Sequence, residues 1–122
     1  MEKMKYHNFK DLVVWQRSKE LVKVLFLIWE SLDTKFSVLY TQTMKSALSI
    51  PSNIAEGCGR GSEKQLSFFL NVAHGSACEL ETQLIIAFEL HFLNNEKKSE
   101  ILTEVNAIQK MIIGLLKSLK QN

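Results

Sequence analysis

From Leu66 to His91 one set of positions recurs at alternating steps of four and three: Leu66, Leu70, Ala73, Ala77, Leu80, Leu84, Ala87 and His91. That alternation keeps one side of an α-helix turned toward a partner for more than three heptads. The alanines in the seam let a neighbouring helix approach closely. Ser62, followed three positions later by Gln65, has the capping-box arrangement and marks the start of this segment. A helix of about 28 residues is predicted, roughly 42 Å long at 1.5 Å per residue. A rod of that length with one apolar side cannot stand alone in water.

Three further segments carry the same period. The first is predicted from about Asp11 to Ser31, with Trp15, Val22, Leu25, Trp29 and Leu32 as its stripe and Leu12, Leu21 and Ile28 widening it. Asn8 or Asp11 is available to cap its start, and Asp33–Ser37 reads as a turn. The second runs from about Val38 to Glu56 through Tyr40, Met44, Ala47, Leu48, Ile54 and Ala55. Pro51 lies inside it and lacks the N–H that would reach Ala47, which predicts a kink or local break. Gly57 is the expected left-handed C-terminal cap. After a turn at Asn94-Asn95, the last segment shows Ile101, Val105, Ile108, Ile112, Leu115 and Leu119, with Leu102, Ile113 and Leu116 as a second apolar edge. Four helices joined by short connections predict an all-α, antiparallel, up-down-up-down four-helix bundle, one domain over residues 1–122. The second apolar edge predicts self-association.

Composition narrows the class further. A single proline and five glycines leave room for few loops, and 46% hydrophobic with 23% charged residues is ordinary for a folded domain. The net charge of +2 selects no partner, but its distribution is uneven. Residues 1–10 carry Lys3, Lys5 and Lys10 against only Glu2, and residues 110–122 carry Lys110, Lys117 and Lys120 without an acid; residues 62–93 carry Glu63, Glu79, Glu81 and Glu89 with Lys64 alone against them. This predicts a two-sided field, or simply solubilising lysines that complement a helix C-terminus. Two cysteines without paired spacing make no disulfide framework and fit a reducing compartment. With no apolar core near Met1 and no run of ~18 apolar residues, a cytoplasmic protein without a membrane span is expected.

No catalytic constellation stands out. Ser76, Cys58 and Cys78 have no evident His–acid partners. Glu56 and Glu79 read either as an acid–base pair or as acceptors for Asn53, Gln42, Gln83 or a lysine across the bundle. Asn53, Glu56, Ser76 and Glu79 are thus structural or interface polar residues, planted where a partner is needed. The Glu-x-x-His pairs of a di-iron bundle are absent. His74 and Cys78, four apart, could hold a soft metal only with a second pair, so neither metal nor cofactor is expected. The run Gly57–Gly61 lacks Gly-Lys-Ser/Thr and follows a helix, which makes it a flexible connector rather than a phosphate loop. Arg60 and Lys64, beside the start of the third helix, remain suited to a nucleic-acid phosphate. Trp15 and Trp29 share a face as core or interface anchors. Tyr6 with Lys3, Lys5 and His7 reads as a nucleic-acid arm or an ordinary terminus.

Several motifs together resemble one family. They are Phe9-x-Asp11-Leu12-x-Val14-Trp15-Gln16, Ser49-Ile50-Pro51-Ser52-Asn53-Ile54-Ala55-Glu56-Gly57, Arg60-x-Ser62, Phe69-Leu70, Ala73-x-Gly75-Ser76 and Glu79-Leu80-Glu81-Thr82-Gln83-Leu84. The chain resembles the bacterial four-helix bundle proteins encoded in 23S rRNA intervening sequences, and is similar in fold to the accessory variability protein of diversity-generating retroelements, which works with a reverse transcriptase and RNA. It departs at Lys45-Ser46, where the family pattern has Arg-Arg or Arg-Ala. The resemblance implies a ring-like homopentamer with no established enzymatic activity. Arg17, Lys45, Arg60 and Lys64 are the candidate nucleic-acid contacts, chosen by their chemistry. The expected function is a non-catalytic homo-oligomer that binds RNA or DNA; the alternative is a protein-interaction scaffold.

Overall fold

The computed structural model describes residues 8–120. Four α-helices account for most of them: α1 (Val13–Glu30), α2 (Val38–Cys58), α3 (Glu63–Glu89) and α4 (Lys98–Lys120), with short 3-10 turns at Phe9–Asp11 and Asn95–Lys97. No strand occurs among the described residues. The Tyr6 arm lies outside them.

In α3 the seam is buried from Leu66 through Ala87, as its spacing requires. Ser62 caps the helix by accepting from the Gln65 N–H at 3.2 Å. The predicted seam member His91 is a correction: it is exposed and lies beyond the helix, with φ +62°. The His91 N–H bonds to the Phe88 carbonyl and the Phe92 N–H to that of Ala87, which is the Schellman closure. The turn carries Leu93 back into the core.

Gly57, the predicted left-handed cap, lies inside α2, which ends at Cys58 with Gly59 as its cap at φ −82°. The left-handed glycine is Gly61, at φ +86° in the turn to α3. Gly57 has a different reason to be glycine. A Cβ there would sit 2.9 Å from the Phe69 Cβ and 3.0 Å from a Leu66 methyl, so its absence sets how closely α2 and α3 approach. Pro51 is buried, and α2 continues through it without the predicted break.

The core positions of α1 are Val14, Ser18, Leu21, Leu25 and Trp29; the predicted Leu21, Leu25 and Trp29 are buried, while the predicted Trp15 and Val22 are half-buried and Val14 and Ser18 lie inside instead. Trp15 is half-buried, its ring edge-on to Phe9 at 5.1 Å. Asn8 caps the 3-10 turn, while α1 has Leu12 at its N-cap and so no side-chain cap. Trp29 is fully buried and donates its indole N–H to Thr43 Oγ1 at 3.0 Å, where the end of α1 meets the start of α2. In α4, Ile101, Val105, Ile108, Ile112 and Leu119 are buried, and Leu115 is half-buried.

One apolar core joins all four helices: α1 packs on α2 and α4, and α3 on α2 and α4. The α2–α3 pair is the most extensive. Substantial apolar surface remains outside, on Val24, Phe26 and Leu27 of α1, Leu48 of α2, and Val72, Ile86 and Leu90 beside or on α3. Of the predicted second edge on α4, Ile113 is exposed while Leu102 and Leu116 are half-buried. No helix among the described residues is long and apolar enough to cross a membrane.

Candidate nucleic-acid interface

The polar residues planted in the helices divide into two groups. Ser76 meets Ser49 across α2 and α3 at 2.8 Å between hydroxyls, and Asn53 donates to the Ser49 carbonyl and hydroxyl at 2.8 and 2.9 Å. This cluster joins two helices and offers no reactive group. Glu56 and Glu79 are exposed instead. Glu56 accepts from Arg60 Nε at 2.8 Å, one turn along α2 and its cap, and Glu79 makes no ion pair among the described residues.

A second polar lock lies between α3 and α4, and sequence reasoning missed it. Glu81 accepts from Asn106 Nδ2 at 3.0 Å and from Gln109 Nε2 at 2.9 Å. These two hydrogen bonds, Asn106 first, hold the Glu81 carboxyl below its ordinary range. Because the folded value is the depressed one, Glu81 stabilises the fold fully above the unfolded value of about 4.5, and that contribution is lost as pH falls through the folded value. Thermal melts of wild type and Glu81→Gln are therefore expected to converge as pH drops from neutral to about 3. A gap that persists at low pH would overturn this account of the lock.

His74 and Cys78 stand one turn apart on α3, with sulfur–nitrogen distances of 4.0 Å. No group of three or more His, Cys, Asp or Glu among the described residues is placed to hold a metal ion. The other cysteine, Cys58, is buried, and burial pushes its thiol pKa up, away from the reactive thiolate.

The four candidate basic residues are placed differently. Arg17 faces α4, where Nε and Nη2 grip both carboxylate oxygens of Glu104 at 3.0 and 2.5 Å. Lys45 is exposed on α2, away from the others' groove, and makes no ion pair among the described residues. Arg60 and Lys64 come together. With Ser62, Gln65, Phe68 and Phe69 they line a shallow groove at the turn between α2 and α3. The Arg60 guanidinium lies 5.0 Å from the centre of the Phe69 ring, and Phe68 meets Phe69 edge-on at 5.0 Å and 90°. Phe69 is half-buried, but Phe68 is 61% exposed. Sequence reasoning named Phe69 only as part of a family motif and passed over Phe68. The available signal was the four-residue step from Lys64 to Phe68, which places both on one helix face.

The family model of the 23S rRNA-intervening sequence proteins matches residues 10–114. The chain belongs to that family. The match bears out the motif resemblance, and it spans Arg17, Lys45, Arg60 and Lys64 as well as both polar locks. A similar solved structure is described as a protein with unknown function from the S23 ribosomal protein family of Bacteroides thetaiotaomicron. It is 26% identical, covers 86% of this chain and 99% of its own, and has a TM-score of 0.80. No curated protein matches the chain. The 23S rRNA-intervening sequence family thus supplies the helical fold here, while a function has to be argued from surface chemistry.

Proposed function

We propose that this 23S rRNA-intervening sequence protein is a non-catalytic, self-assembling helical bundle that binds RNA through the α2–α3 end of each subunit. The observation that carries this reading is the groove in which Arg60 and Lys64 flank the exposed Phe68. Positive charge beside an open aromatic ring suits a phosphate backbone and its bases. The Arg60–Glu56 pair does not oppose it. Both side chains are about half exposed, and exposed pairs contribute only ~0–1 kcal/mol, so a phosphate can displace the carboxylate.

An antiparallel up-down-up-down arrangement is supported by the order of contacts. Trp29 near the end of α1 meets Thr43 near the start of α2, and Gly57 near the end of α2 meets Leu66 and Phe69 near the start of α3. Assembly is supported by the apolar surface left on α1, α2 and α3, for which a second copy of the chain is a suitable cover. The family resemblance implies five copies. Light scattering is then expected to give a multiple of the 14.0 kDa chain mass.

Five copies would present the same cations five times, so contacts that are weak singly add. A filter-binding titration with RNA is expected to show affinity falling by about two to three orders of magnitude between about 50 and 200 mM salt. Absent or salt-insensitive binding would remove the reading. One observation favours a scaffold role instead: a largely apolar groove on α1 and α2, formed by Val22, Phe26, Leu27 and Met44 with Lys23 at its edge. A protein partner that stays bound after nuclease treatment, in a preparation with no RNA affinity, would support that alternative.

A further inference from the structure

Phe68 is an expensive residue to leave in water, and its surroundings hold it there. Its ring rests edge-on against Phe69, which is held from one side by the Arg60 guanidinium and from below by the close approach over Gly57. Two aromatic rings at right angles leave the outer one with an open face. Lys64 lies one helical turn before Phe68 and makes no ion pair among the described residues. The groove therefore combines an open ring, one free ammonium and one loosely held guanidinium.

Resting on the RNA-binding reading above, we propose that this groove takes single-stranded RNA, with an unpaired base stacked on Phe68 and the adjoining phosphates on Lys64 and Arg60. A flat aromatic face gains free energy from a base only when the base has left its own stack. A duplex presents phosphates on its outside and keeps its bases paired within. It can use the two cations but not the ring. The acids nearby, Glu56 and Glu63, oppose a purely electrostatic site, since they balance Arg60 and Lys64 in number. Stacking is therefore the component that makes the groove selective.

The test uses the full chain and a labelled RNA of about 12 nucleotides, free and annealed to its complement, at about 50 mM salt. Fluorescence anisotropy is expected to show the single strand bound about tenfold more tightly than the duplex. Phe68→Ala is expected to remove about that tenfold from the single strand, leave duplex binding unchanged, and leave the assembled mass unchanged; Phe68→Trp is expected to retain or strengthen single-strand binding. Equal affinity for both RNAs, lowered by Lys64→Glu but untouched by Phe68→Ala, would overturn stacking while leaving RNA binding in place. No affinity for either RNA would remove the functional reading itself. A change in assembled mass with Phe68→Ala would assign the ring to a contact between copies and overturn the proposal.

Discussion

Replacing Trp29 with alanine is expected to lower stability by about 3–5 kcal/mol, a shift of on the order of 10 °C or more in the thermal midpoint. Trp29 is fully buried where α1, α2 and the core meet, with Tyr40 edge-on at 5.9 Å. The loss combines transfer of a large aromatic group with the cavity left behind. Its indole N–H adds a second, separable component. Thr43 Oγ1 accepts that N–H while itself donating to the Leu39 carbonyl at 2.7 Å, so the hydroxyl is oriented with its lone pairs toward the buried indole. Thr43→Val keeps the shape but orphans the indole N–H, and is expected to cost about 1–3 kcal/mol. In the Trp29→Phe background the same Thr43→Val change is expected to cost much less, because no donor is left stranded. A double-mutant cycle by denaturant unfolding reads the coupling; additivity of the two changes would sink the assignment.

Gly57→Ala is the second large expected effect, and its sign is a contest. Alanine in a helix interior gains up to about 1 kcal/mol over glycine from backbone entropy. Against this, the new methyl meets the Phe69 Cβ at 2.9 Å and Leu66 Cδ1 at 3.0 Å. The first of these cannot swing away, because a Cβ is fixed to its backbone. Overpacking of this kind costs about 1–3 kcal/mol, so a net destabilisation is expected, with Gly57→Leu far worse. The comparison with Gly59→Ala separates the two effects. A Cβ at Gly59 meets only carbonyl oxygens at 3.6 Å, so that change is expected to be nearly neutral. Should Gly57→Ala melt above wild type, close packing of α2 on α3 at this point would be refuted.

The sequence made the helices legible wherever the core was built from repeated apolar residues. The α3 seam shows this best, because Leu66 through Ala87 alternate without a polar interruption. In α1 the register was harder to read. Its core includes Ser18, which is buried with its hydroxyl donating to the Trp15 carbonyl at 3.1 Å. A search for apolar periodicity passes over a serine that satisfies itself within its own helix, so the first turns were read through Trp15 rather than Val14 and Ser18, while Leu21, Leu25 and Trp29 were read correctly. The Gly57 cap and the His91 seam position were both misplaced, each for its own reason. Gly57 was read as a terminus because glycine tolerates positive φ, yet its role is a close approach; His91 takes positive φ because Leu93 must return to the core.

The candidate site was half legible. Arg60 and Lys64 could be named from their place beside the glycine-rich run, but Phe68 looked like one more apolar residue on an apolar helix. Only burial distinguishes it from Leu66, two positions earlier. The Glu81 lock was invisible for another reason: its partners lie 25 and 28 residues away, on a different helix. Asn53 and Ser76 were recognised as needing partners, and both found one in Ser49 within the fold.

The α2–α3 connection is only Gly59–Ser62, pinned by the Gly59 and Arg60 amides at one end and by the Ser62 hydroxyl at the other. A tether this short gives the groove walls no slack, so whatever docks there meets a surface already in its final shape. Little ordering of the main chain would accompany capture, and the entropic toll would fall on the incoming strand and a few side chains.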